Sequence, residues 1–174
     1  MEREAVLHKF VLVFTLVGSR AWASDSDCGE PLFACETANR KVIRLCAVEE
    51  ETGRRWSRVQ YRFGLIDKPE FVYPADSSKG PSSLFFSHYS RKGVYEVNVR
   101  FRNADFEYLL ASVADARGDG LAEVTVSKGG RRLSTIACIE RPWIVPIALQ
   151  RTLACDQRNR YGAAACSERP VKVR

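Results

Sequence analysis

Histidine is almost missing from this chain: its 174 residues hold two, His8 and His88. A zinc or transition-metal centre needs several imidazole, thiolate or carboxylate ligands, and this supply argues against one. The chain also has no Gly-x-Ser-x-Gly, His-Glu-x-x-His, P-loop or Gly-x-Gly-x-x-Gly, which removes the common hydrolase, zinc-protease, nucleotide and dinucleotide signatures. Its cysteines form no Cys-x-x-Cys, so neither a zinc pattern nor a thioredoxin-like redox motif is present. No Asn-x-Ser/Thr sequon occurs, so nothing supports a glycosylated eukaryotic product and a bacterial one is expected. Before residue 140 no useful helical period appears, and only one long apolar run exists, near the N-terminus.

What is present is a globular composition. Hydrophobic residues make up 45%, charged residues 28% and aromatics 10%, which excludes a disordered chain, a collagen-like fibre and a multispan membrane protein. Residues 1–23 read as a secretory signal peptide. Arg3 and Lys9 form a basic start, Phe10 to Val17 an apolar stretch, and Ala21-Trp22-Ala23 a small-x-small cleavage pattern. That stretch is too short for a helix spanning the membrane, which takes about 20 residues. The mature chain is expected to be soluble, with no transmembrane segment after signal cleavage, and periplasmic or secreted.

Six cysteines, all after residue 23, fit three disulfides in an oxidising compartment. Six cysteines allow about 15 pairings, so connectivity has to be guessed from local spacing. Cys35 and Cys46 flank a turn-like Thr37-Ala38-Asn39-Arg40 and are expected to staple a hairpin. Cys155 and Cys166 are expected to close a C-terminal loop, and Cys28–Cys138 follows by elimination.

Strand signals dominate. From Val94 to Arg102, Tyr95, Val97, Val99 and Phe101 fall on one face, and Glu96, Asn98, Arg100 and Arg102 on the other. Turns at Asn103-Ala104-Asp105, Gly118-Asp119-Gly120 and Lys128-Gly129-Gly130 predict three consecutive hairpins between Val94 and Ile139. Earlier strands are expected at 41–48, 55–63, 71–73 and 83–89, with long loops filling much of 64–93. The fold class expected is all-β: an antiparallel meander forming a small sandwich or barrel, disulfide-stapled, over a 24–140 domain. Residues 141–174 read as a basic, cysteine-containing appendage, irregular or short-helical, with a helix expected over 147–154.

The net charge of +6 is unevenly placed. Residues 24–140 carry 17 basic and 17 acidic residues, whereas 141–174 carry seven basic and two acidic. A neutral body with a basic tail points away from nucleic acid and toward an anionic envelope component or an envelope protein. One local pattern is sharper. On a regular strand, Arg54, Trp56, Arg58, Gln60 and Arg62 share a face, and an Arg/Trp face can bind anions or stack on sugars. Arg54, Trp56, Arg58 and Arg62 are therefore the candidate binding residues, beside the 64–93 loops. The opposing reading is a solvated strand.

Few residues suit catalysis. Asp67 with Glu70, or Asp115 with Asp119, could act as acid and base or hold calcium, but each pair sits in a turn where Asp caps backbone. His88 beside Ser87 is the one nucleophile–base combination the mature sequence offers.

Phe33-Ala34-Cys35-Glu36-Thr37, then Lys41 to Cys46, then Gln60-Tyr61-Arg62-Phe63-Gly64 with Pro69-Glu70, and a late strand ending at Cys138, form a set. In this pattern, F-x-C…K-x-I-x-L-C…Y-R-F-G…P-E, the segment from Leu32 to Ile139 resembles a group of small, largely uncharacterised bacterial periplasmic proteins. The resemblance implies export, disulfides and β structure, and carries no catalytic residue across. The expectation is an exported periplasmic β-rich binding protein without metal or cofactor, possible work including inhibition of, or immunity to, an envelope-acting hydrolase. The competing expectation is an envelope hydrolase using His88.

Overall fold

Short turns cut the chain into strands that assemble as two sheets. The computed structural model describes residues 28–50, 56–115, 117 and 120–166. The first sheet contains β1 (Glu30–Glu36), β2 (Val42–Glu49), β3 (Trp56–Gly64), β4 (Pro69–Tyr73) and β10 (Trp143–Ile144), ordered β10-β1-β2-β3-β4. The second contains β5 (Phe85–Arg91), β6 (Val94–Asn103), β7 (Phe106–Asp115), β8 (Gly120–Lys128), β9 (Arg131–Ala137) and β11 (Ala154–Cys155), ordered β11-β5-β6-β7-β8-β9. All neighbours are antiparallel except β11, which runs parallel to β5. This is the all-β sandwich expected, and β6 to β9 are the three hairpins read from alternation. The β8–β9 turn shows the mechanism. Gly129 and Gly130 both have positive φ, +57° and +80°, which a two-residue hairpin loop requires and other residues resist.

Alternation assigns the faces. Val97, Val99 and Phe101 of β6 meet Leu32, Phe33, Ile43, Leu45, Val59 and Tyr61 of the first sheet in one buried core. An aromatic group anchors it: Phe101 lies 5.0 Å from Tyr61, 4.8 Å from Tyr73 and 4.7 Å from Tyr108, centroid to centroid. Such contacts add to the area term that drives burial.

Residues 64–93 are not a set of long loops. They hold β4, a 3₁₀ turn at Ser77–Lys79 capped by Asp76, the one-turn α1 (Gly80–Ser83) and β5. Of the prolines and serines that suggest loops, Pro69 opens β4, Pro81 sits in the first turn of α1, and Ser78 donates its N–H and hydroxyl to the Asp76 cap. Gly80 belongs there because its backbone touches β3. A Cβ at that position would collide with the Val59 carbonyl and Cα. Gly80→Ala is expected to cost about 1–3 kcal/mol, as overpacking does, read as a lowered thermal midpoint. An unchanged midpoint would show that the two segments can part freely.

The C-terminal segment is short-helical as expected, and it is also built into the sandwich. β10 pairs with β1, α2 (Pro146–Thr152) starts on a proline whose ring presets the helical φ, and β11 pairs with β5. Leu149 of α2 is fully buried in the common core.

Two expected disulfides are corrected. The pairs are Cys28–Cys46, Cys35–Cys138 and Cys155–Cys166, with Cα separations of 4.8, 5.7 and 5.6 Å. Neither Cys35–Cys46 nor Cys28–Cys138 forms. In the β1–β2 ladder Cys35 sits opposite Ile43, while Cys46 sits opposite Pro31. Three residues apart along β2, Ile43 and Cys46 face opposite sides of the sheet. Cys35 therefore points into the core and reaches Cys138 on the other sheet, where Thr37 and Cys138 form a β-bridge. Among the described residues no helix is long and apolar enough to cross a membrane. Three disulfides and no free cysteine fit an extracytoplasmic protein.

Candidate functional site

The expected Arg/Trp face is divided by a bulge. The β2–β3 register shifts between Cys46 and Val48, so Cys46 faces Gln60 but Val48 faces Ser57. The extra residue lies at Arg58, which adopts a left-handed φ of +52°. Past it the alternation changes phase, and Trp56 joins Val59, Tyr61 and Phe63 in packing against the core. Gln60 and Arg62 stay on the outer side, where Arg62 Nη2 donates to Gln60 Oε1 at 3.1 Å. Gln60 in turn donates to the Pro74 and Ala75 carbonyls. Arg58 is exposed between them, and Arg54 lies outside the described residues. Trp56, Arg58 and Arg62 thus point three ways. Sequence alternation cannot show a bulge whose extra residue is not glycine.

His88 lies on the inner face of β5. It pairs across to Val97, its ring is 5.8 Å from that of Phe86, and it is 7% exposed. Burial pushes its pKa below the ordinary value, so the ring is neutral at pH 7. Its Nδ1 has no hydrogen-bond partner. Ser87 opposes Asn98 on the outer face, so the two residues of the supposed nucleophile–base pair sit on opposite sides of one strand. The linkage sign follows. Between the depressed folded pKa and about 6.5 the unfolded chain binds more protons than the native one, so stability falls as pH drops through that window. The thermal midpoint of wild type is expected to fall between pH 7 and pH 5, and that of His88→Phe to fall less. Parallel curves would mean the ring is not held neutral.

The sequence-based acid pairs are also used structurally. Glu70 forms an ion pair with Lys41 at 2.8 Å, and Asp115 Oδ1 accepts from the Arg117 N–H at 2.8 Å as a turn cap. Asp119 lies outside the described residues, and Asp67 is an exposed turn residue. Among the described residues no group of three or more His, Cys, Asp or Glu could hold a metal ion.

A connected polar cluster covers the outer face of the second sheet, where residues 156–166 cross β5, β6 and β7. Arg100 of β6 donates to Asp156 at 2.8 Å and to Glu107 of β7 at 2.6 Å, and Glu107 also takes Arg158 at 2.6 Å. Glu96 accepts from Asn98, Arg160 and the Tyr161 hydroxyl at 2.6–2.8 Å. Tyr161 stacks on Tyr89 at 4.0 Å. Desolvation raises the Glu96 and Glu107 pKa values, but these donors outweigh it and hold both below the usual carboxylate range. A carboxylate so stabilised is a poor general acid or base at neutral pH, so the cluster fastens the tail. Alternation placed Glu96 and Arg100 on the wet face, and the long-range partners from the tail were beyond its reach. No protein-family model matches the chain, and neither does any curated protein or solved structure.

Proposed function

We propose that this chain is an exported, periplasmic or secreted bacterial binding protein that acts through its surface. A narrower form of the proposal makes it an inhibitor or immunity protein against an envelope-acting hydrolase, since a disulfide-braced sandwich presents rigid contacts at little ordering cost. The observation that supports a binding role over a hydrolase is the placement of the acid–base residues. His88 is packed between the sheets, and Glu96, Glu107 and Asp156 are each held by arginine.

The test is capture from envelope extract by the tagged protein, with wild type and His88→Ala compared for both bound partner and peptidoglycan hydrolysis. One stoichiometric partner retained by both is expected. Hydrolysis that disappears in His88→Ala would overturn the proposal in favour of an enzyme.

A further inference from the structure

The three disulfides differ in how far they lie from solvent. Cys28 and Cys46 are both buried, and Cys35 lies in the core between the sheets, whereas Cys155 and Cys166 are both partly exposed. Reduction of a disulfide requires a thiolate to reach one of its sulfurs, so access sets the order of reaction. Cys155–Cys166 is first in that order.

This bridge closes a strap, residues 156–166, over the outer face of the second sheet. The Asp156 end is firmly held. β11 pairs with β5, the Asp156 amide donates to the Phe86 carbonyl at 2.8 Å, and its carboxylate takes Arg100 at 2.8 Å with both side chains largely buried. Beyond Asp156 the ties weaken. The Arg158 and Arg160 side chains that reach Glu107 and Glu96 are 52% and 72% exposed, and ion pairs so open to water contribute little. The Asn159 side-chain amide is used inside the strap, on the Asp156 and Gly162 carbonyls. Among the described side chains of 157–165, only Ala165 is buried.

Beneath the strap the sheet is polar. Ser87 and Asn98 are cross-strand partners on the outer face. They lie between the Phe85–Arg100 row, which meets Asp156, and the Tyr89–Glu96 row, which meets Tyr161. Ser87 is 1% exposed, and its Oγ has no hydrogen-bond partner among the described residues. A hydroxyl buried without a partner carries a desolvation cost that contact with water removes. Lifting the strap therefore wets Ser87, Asn98 and Glu96 and uncovers little apolar surface, so its covalent closure is the main force holding it down.

We propose that Cys155–Cys166 is a redox-modification site, and that its reduction by an external dithiol frees residues 157–166 from β5, β6 and β7 while both sheets and the other two disulfides stay intact. One thiolate of the dithiol attacks a sulfur of the bridge, forming a mixed disulfide and releasing the other cysteine as a thiolate. The reductant's second thiolate then displaces the remaining cysteine. The dithiol leaves as a disulfide, and its two electrons and two protons end on Cys155 and Cys166 as thiols. Arg160 and Arg158 leave with the strap, so Glu96 and Glu107 turn from covered ion pairs toward water.

The oxidised full chain is treated with graded dithiothreitol under native conditions, and free thiols are trapped with iodoacetamide and located by peptide mapping. Cys155 and Cys166 are expected to be alkylated at about tenfold lower reductant than the other four cysteines. Hydrogen exchange on that sample should quicken by about a hundredfold for the 158–165 amides, the effect of losing a short closed loop, with β6 and β7 unchanged. Cys155→Ser with Cys166→Ser should give the same exchange pattern without reductant. Release of Cys28–Cys46 or Cys35–Cys138 first, or of all six cysteines together, would overturn the proposal. Alkylation of Cys155 and Cys166 with unchanged exchange would also overturn it, since side-chain contacts would then hold the strap. Loss of β6 and β7 protection in the double serine variant would do the same, because the bridge would then be holding the sandwich itself.

Discussion

Replacing Cys35 and Cys138 together by alanine is expected to lower stability by about 4–5 kcal/mol, the largest loss of any disulfide in the chain. The two cysteines are 103 residues apart, against 18 for Cys28–Cys46 and 11 for Cys155–Cys166. On the chain-entropy account the cost of closing a loop grows with its length, so the shorter bridges contribute about 3 kcal/mol each. The long bridge is also the one that ties the two sheets together, beside the Thr37–Cys138 pairing. Denaturant titration of the three double alanine variants, at one pH, orders them directly. A smaller loss at Cys35/Cys138 than at Cys155/Cys166 would mean that the sheets are held by packing alone.

Leu149→Ala is expected to cost about 2–5 kcal/mol, as for other large-to-small substitutions in a core. Leu149 is fully buried although it lies in the basic C-terminal region, and Ala148 beside it is 6% exposed. Ile147 on the same helix is 43% exposed, and Ile147→Ala should change stability by no more than about 0.5 kcal/mol. The contrast separates core packing from helix propensity, because both substitutions put alanine into α2. Equal effects would place α2 outside the core. A deletion of 141–174 would remove two strands, Leu149, Asp156 and a disulfide at once, so its loss of binding would report unfolding. Point substitutions are the sound route to mapping a contact in this region.

Much of the architecture was legible from period and turn chemistry. Tyr95, Val97, Val99 and Phe101 alternate with charged residues, and β6 to β9 follow with their turns where Asn-Ala-Asp and Gly-Gly place them. Local rules suffice there because each strand pairs with the next in sequence. They fail where pairing is distant or the backbone departs from regular form. The bulge at Arg58 turns Trp56 inward, and no neighbouring residue announces it. Disulfide partners likewise depend on which face of a strand a cysteine occupies and what lies across the core, so spacing misassigned Cys35 and Cys46.

The same division holds for the candidate surfaces. Composition alone placed the excess positive charge in the tail, and three-dimensional packing then used much of it internally, in Arg158–Glu107 and Arg160–Glu96. By itself the sequence determined the strands, the hairpins, the oxidised cysteines and the shortage of acid–base residues, because each is a property of composition or of near neighbours. Only tertiary structure decided the cysteine partners, the inward turn of His88 and Trp56, and the arginine partners of Glu96 and Glu107, because each depends on how the strands pack and on contacts between residues far apart in the chain.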